Sequence, residues 1–272
     1  MSMSAHPVHG AVDRATDSDA FQYAARVGFA TSGVLHLLLG YIVVRLAFGT
    51  GGNADQSGAL ATLAAQTGGK IMLWIVALGL FALGLWRLAE SILGSKPSER
   101  SGNDDSPAWK RAKSIGLAIA NIAIAFSALR FATGSGQSSG QQNAGLSAQL
   151  MQSGWGKVLL IVVGLGILGV GGYHVYKGGS KRFFKDLRVS GGTAVTAVGI
   201  AGYTAKGLVL AGAGILVIVA TLQADPAKAS GLDAAVKTLG EAPFGKFLLV
   251  IAGLGIAAFG AYSFVRCRYG RL

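Results

Sequence analysis

The sequence predicts an all-α integral membrane protein, its six transmembrane helices forming three tandem two-helix hairpin repeats around a pseudo-threefold axis. Three observations predict it. The 272 residues are 51% hydrophobic and only 13% charged, where a soluble domain carries about 25% charged residues. The apolar residues gather into six runs that, with short extensions, match a hydrocarbon core of about 30 Å. One pattern recurs through those runs at a period of 86 to 89 residues, the mark of a repeat architecture.

Taken in order, residues 1–20 are polar and mixed in charge and lack the apolar core of a signal peptide; they read as a disordered cytoplasmic tail. Repeat 1 covers 21–94, a cytoplasmic linker 95–108, repeat 2 109–180, a basic cytoplasmic linker 181–192 and repeat 3 193–272. The span cores are Val27–Val44, Ile71–Trp86, Ile115–Leu129, Val158–Val175, Gly207–Leu222 and Phe247–Val265. The fifth extends backward through Ala194–Ala205, which is small and apolar. Before each even span lies a similar piece, GALATLAAQTGGK, GLSAQLMQSGWGK or GLDAAVKTLGEAPFGK. Each predicts a short helix lying flat at the outer interface.

The even spans carry the clearest repeat. Gly69-Lys70, Gly156-Lys157 and Gly245-Lys246 open them, and ten residues on come Gly79, Gly166 and Gly255. Fifteen on come Gly84, Gly171 and Gly260, and seventeen on an aromatic, Trp86, Tyr173 or Tyr262. In the odd spans Gly28, Gly116 and Gly202 align, followed five residues later by Gly33, Asn121 and Gly207. Residues seven apart lie nearly on one helix face. Gly33, Gly40, Gly84, Gly171, Gly207, Gly214 and Gly260 therefore fall on small-residue stripes, expected to let the two helices of a hairpin approach closely. Gly164-x-Gly166-x-x-Gly169 matches a dinucleotide fingerprint in form. That fingerprint needs a strand before it and a helix after it, whereas this one sits inside an apolar run.

Positive residues set the expected orientation. The segments between spans two and three, between four and five, and after span six hold most of the lysine and arginine around the spans. Both termini are expected to be cytoplasmic, in a bacterial plasma membrane, with three hairpins reaching outward. The formal net charge of +12 is carried between apolar segments, so it reads as topology rather than nucleic-acid binding. Lys110, Arg111, Lys113, Lys181, Arg182 and Lys185 are expected to contact anionic lipid head groups on the cytoplasmic side.

The stretch ARVGFATSGVLHLLLGY (Ala25–Tyr41), followed by GALATLAAQTGGK and LGLFALGLWRLAE (Leu78–Glu90), resembles a bacterial membrane family catalogued as domain of unknown function 1206. The resemblance covers about Ala25 to Arg266. It implies three tandem copies of two helices and supplies no activity, substrate or catalytic residue. The family often has a basic residue just before the second glycine of the odd helix; here that position is Ser32, Ala120 or Lys206. Mitochondrial solute carriers share the parallel threefold arithmetic, but their odd helices resemble P-x-[DE]-x-x-[KR]. None of Pro7, Pro97, Pro107, Pro226 and Pro243 lies in a span here, so the hinge of that reading is missing.

Few residues could carry chemistry. His36, near the middle of span one, is an intramembrane ionisable group and so a candidate for function; no aspartate or glutamate lies in a span core to partner it. Lys206 is expected to snorkel toward the cytoplasmic side. Asn121 is expected to bond across to another helix. Arg26, Arg87 and Glu90 are expected to form a polar cluster, Glu90 pairing with Arg26 across the first hairpin. No nucleophile–base set, paired carboxylates or metal-ligand spacing appears in the sequence, and no catalytic residue, metal or cofactor is expected. A non-enzymatic scaffold or accessory subunit binding lipid or another membrane protein is the favoured reading. A small transporter or channel along the pseudo-threefold axis is the alternative, and it requires polar residues to converge at mid-depth.

Overall fold

The computed structural model describes residues 19–93, 107–188 and 192–271. Among them six long helices run from one end of the molecule to the other: α1 (Asp19–Ala47), α3 (Gly69–Leu93), α4 (Pro107–Ala132), α6 (Gly154–Gly179), α7 (Thr193–Gln223) and α9 (Gly245–Tyr269). All six are long and apolar enough to cross a membrane, and the chain is a multi-pass membrane protein. The fifth span starts at Thr193, matching its small apolar extension. Pro107 opens α4, where a missing N–H costs nothing.

The ends of the helices repeat as faithfully as their interiors. Past the odd helices α1, α4 and α7 stand Gly49, Gly134 and Ala224, each at positive φ (77°, 84° and 54°). The next amide closes the cap onto the last turn: Thr50 N donates to Arg45 O, Ser135 N to Arg130 O and Asp225 N to Ala220 O. Glycine adopts this left-handed conformation freely, whereas an L-residue is strained by about 1–2 kcal/mol. Ala224→Gly is therefore expected to stabilise the protein by up to about 1 kcal/mol. It should read as a rise of a few degrees in Tm in detergent.

Short helices α2 (Gln56–Ala64), α5 (Ser139–Met151) and α8 (Leu232–Glu241) precede the even spans. They turn into those spans so tightly that side chains are excluded. A Cβ on Gly69 would land on Leu63 O, on Gly156 on Leu150 O, and on Gly245 on Gly240 O. That is why these glycines recur. The three segments interlock across units at this cap end. Ala54 N donates to Asp233 Oδ1 at 2.7 Å, Ser139 N to Ser57 Oγ at 3.0 Å and Asn143 Nδ2 to Ser230 O at 3.1 Å.

Side by side, the long helices run in the order α4–α3–α1–α9–α7–α6. The most extensive contacts join different units: α3 to α4, α6 to α7, and α9 back to α1. The small-residue stripes make these seams, which corrects the expectation that they would sit inside hairpins. A Cβ on Gly40 would lie 2.6 Å from Gly253 O, and one on Gly260 2.9 Å from Gly33 O. Gly84 faces Ile122 and Ala118 O on α4, while Gly171 and Gly214 face Gly207 O and Gly164 O across the α6–α7 seam. A different glycine register joins α1 to α3, through Gly28 and Gly79, and α7 to α9, through Gly202 and Gly255. The helices of the second hairpin, α4 and α6, do not pack on each other to any comparable extent. The three hairpins are thus unequal. The formal fingerprint lies wholly within α6, with no strand before it.

At the end where α1 begins and α9 finishes, called the terminal end, the chain after α6 does not remain an open linker. Arg182–Asp186 forms a 3-10 turn, with Phe183 fully buried among Tyr203, Phe259 and Tyr262. Leu187 pairs with Gly270, Arg188 N donates to Tyr269 O and Arg271 N to Asp186 O. This segment folds back over the ends of α6, α7 and α9.

Candidate functional site

Two of the sequence-selected polar residues meet inside the bundle. His36 Nδ1 lies 2.8 Å from Ser32 O, one turn back on α1. On the other side of the ring, Nε2 lies 3.1 Å from Lys206 Nζ on α7. An ammonium has only hydrogens to give. Lys206 therefore donates to Nε2, and Nδ1 carries the imidazole hydrogen and donates to Ser32 O. His36 stands ten residues past Arg26, the first residue of its apolar stretch, which is about 15 Å at 1.5 Å per residue.

The third wall is α9. Lys206 Nζ sits 3.9 Å from the centroid of the Phe259 ring, a cation–π distance, and the His36 ring is 4.8 Å from the same ring. Local sequence explains why Lys206 turns inward. Residues four apart share a helix face, and Gly202 packs directly on the Phe259 backbone. Lys206 follows Gly202 on that face and is delivered to α9 and α1. The expected snorkelling of Lys206 is thereby corrected.

Phe259 also begins an aromatic column toward the terminal end. Its ring is 5.1 Å from Tyr203, which stacks on Phe183 at 5.8 Å and meets Tyr262 at 5.3 Å. The His174 ring is 5.7 Å from Tyr203. Tyr203 OH donates to Asp186 Oδ2 at 3.3 Å, and Lys177 Nζ pairs with the same oxygen at 2.7 Å. Tyr262 OH donates to Phe183 O at 2.8 Å. Arg266 lies over Phe29, 4.2 Å from its centroid, and its Nε is buried without a hydrogen-bond partner. Protonatable groups therefore stand at both ends of one aromatic column: His36 and Lys206 at mid-span, Asp186 and Lys177 at the terminal end.

Other sequence-selected residues are placed differently. Arg26 Nη1 donates to Cys267 O at 3.3 Å and Arg268 O at 3.1 Å, carbonyls in the last turn of α9. The Glu90 side chain lies outside the described residues, so the expected Arg26–Arg87–Glu90 pairing is not described. Asn121 bonds within its own helix, to Leu117 O at 2.8 Å, instead of across to another. Having no Cβ-free surface to offer, it does not repeat the seam made by Gly33 and Gly207. Arg111, Lys181, Arg182 and Lys185 are exposed, and Arg182 also covers the Tyr176 ring at 5.0 Å. The side chains of Lys110 and Lys113 lie outside the described residues.

Sequence reasoning missed Phe183, Asp186, Tyr203 and Phe259 as parts of the site. Asp186 did leave a signal, as the single carboxylate inside the basic run Lys181–Arg188. Among the described residues, no three His, Cys, Asp or Glu side chains gather to hold a metal ion. A shallow cleft of about 420 Å³ at the cap end is lined by Arg45, Asn53, Thr62 and Lys237, away from the buried pair.

A family model described as a domain of unknown function, DUF1206, matches three times, at residues 27–94, 112–181 and 201–270. The chain is similar to the uncharacterized protein YxxB of Bacillus subtilis (strain 168), with 29% identity over 249 residues that cover 90% of this chain and 89% of the relative. No solved structure matches it. With three matches that together span most of its length and coincide with its three hairpins, the chain belongs to the DUF1206 family.

Proposed function

We propose that this protein is a small, non-enzymatic transporter whose path carries protons through the His36–Lys206 pair. One observation supports the reading above others: two basic side chains from different repeats meet 3.1 Å apart within the spans. A basic group in mid-membrane is costly, at about 2.5–3.5 kcal/mol for a lysine, so its retention calls for a use. The pair shares one excess proton. A second would place two cations in contact at a separation where repulsion is strong, so proton arrival on one group favours departure from the other. Phe259 carries no exchangeable proton, so water must bridge the pair to the Tyr203 hydroxyl, which donates to Asp186 Oδ2 and gives the proton an exit at the terminal end, which we take to be cytoplasmic.

The test is proton flux into liposomes loaded with a pH-sensitive dye, driven by a potassium diffusion potential. The wild type should acidify the lumen faster than protein-free vesicles, and Lys206→Met should slow this by at least about tenfold, the scale of a lost proton-transfer group. Wild-type flux equal to that of empty vesicles would end the transport reading.

A second reading, the scaffold or accessory subunit, has its own observation. Only 17% of the apolar stretch of α6 and 22% of that of α4 is buried, which leaves a broad face for lipid or another membrane protein. Exposed Arg111, Lys181 and Arg182 would each add about 1 kcal/mol near an anionic leaflet. Native mass spectrometry after gentle extraction would favour this reading if a partner subunit persisted.

A further inference from the structure

The repeats place one glycine of each odd helix and one of each even helix at equivalent positions: Gly28 with Gly79, Gly116 with Gly166, and Gly202 with Gly255. In the first hairpin these close the contact. A Cβ on Gly28 would lie 2.9 Å from Leu83 Cβ and 3.2 Å from Gly79 O. In the third hairpin the contact is closer still. A Cβ on Gly202 would lie 2.6 Å from the Phe259 backbone, and one on Gly255 would land on Ala205. In the second hairpin, a Cβ on Gly116 or Gly166 would meet nothing within 4 Å. Both glycines of the contact recur in the second hairpin and face open space, beside Ile119 where the other hairpins have Thr31 and Ala205.

We propose that the second hairpin closes, bringing α4 onto α6 at Gly116 and Gly166, in a second state of the protein. Glycine costs roughly 0.5–1 kcal/mol relative to alanine in a helix interior. Gly169, Gly172 and Gly212 also face open space, so it is the repeat register, not exposure, that singles out Gly116 and Gly166. Two such glycines in contact register are accounted for by a state in which the contact forms. The fold permits the movement. Helix α4 is seated on α3, and α6 on α7, by extensive seams, so each pair moves as a block. At the cap end α5 is tied to both neighbouring units, through Ser139 to Ser57 and Asn143 to Ser230. The pivot therefore lies at the cap, and the terminal ends of α4 and α6 swing together. This inference does not depend on the transport reading.

Register names the closed contact. Leu83, Val170 and Phe259 each stand fourteen residues past the glycine that opens their helix. Leu83 seats Gly28 and Phe259 seats Gly202. Val170, now exposed, is thus the residue that meets Gly116. The experiment uses the full chain in native membranes, with Cys267→Ser to remove the native thiol. Gly116→Cys with Val170→Cys is oxidised with copper–phenanthroline, denatured, and labelled with a maleimide polymer that shifts the gel band. A disulfide needs Cβ atoms about 3.5–4.5 Å apart, so protection from labelling reports closure. Thr31→Cys with Gly79→Cys is the positive control, because Thr31 Oγ1 lies 3.3 Å from a Cβ built on Gly79. The expected result is that most Gly116/Val170 pairs become protected, more slowly than the control, and are released by dithiothreitol. Full labelling of that pair while the control is protected would overturn closure. So would cross-linked dimers in place of protected monomers, which would assign the open face to a second copy.

Discussion

Gly171→Leu is expected to separate α6 from α7 and to cost about 3 kcal/mol or more, the upper range for forcing atoms into a packed seam. A Cβ at Gly171 would sit 2.5 Å from Ala211 N and 2.7 Å from Gly207 O. These are backbone atoms, so no rotamer change relieves the clash, and the helices must part. One turn pair away, Gly164 and Gly214 lie just as close, with a Cβ on Gly214 2.6 Å from Gly164 O. The second contact therefore opens with the first. In lipid such a seam depends on close van der Waals approach, because burying apolar surface against another helix brings no gain over burying it in lipid tails. The measurement is Tm in detergent, expected to fall by roughly 10 °C at about 2–4 °C per kcal/mol. Gly172→Leu is the matched control: its Cβ meets nothing within 4 Å, and its Tm should stay close to wild type. Equal losses at the two positions would show that the seam does not run along the Gly164–Gly171 face.

Phe183→Ala is expected to cost about 3–5 kcal/mol, the usual range for emptying a buried aromatic site. The ring is fully buried. It stacks on Tyr203 at 5.8 Å, meets Tyr262 edge-on at 5.4 Å and lies on Gly199, where a Cβ would collide with it. Its carbonyl also accepts the Tyr262 hydroxyl. Removing the ring loosens the turn that holds Asp186 beside Lys177 and Tyr203. A lowered Tm should therefore come with faster proteolysis between Arg182 and Arg188 and at the C-terminus, which Leu187 and Gly270 pair together. An unchanged cleavage pattern would mean that the segment after α6 is held by something other than Phe183.

These expectations mark which levels of structure the chain encodes locally. Six spans, three repeats and the short helices before the even spans were all legible, because hydropathy and helix ends are properties of short stretches. The heptad glycines were legible too, as surfaces built for close approach. Their partner was not. A helix face says how near a neighbour can come, not which neighbour comes, and the stripes of Gly33, Gly171 and Gly260 joined different units instead of the two arms of one hairpin. The pairing of His36 with Lys206 illustrates the same limit. Each was a visible oddity in an apolar run, but they stand 170 residues apart, and nothing local ties them.

Periodicity and charge therefore determined that this chain spans a membrane as three hairpins, each opening its second helix on a glycine turn. Tertiary packing decided which glycine faces whom, left the second hairpin open and brought two distant basic side chains onto one phenylalanine. The physical reason is that insertion into a bilayer is settled span by span, through the hydropathy of each segment. Helix association inside the bilayer is settled by shape complementarity between faces far apart in sequence.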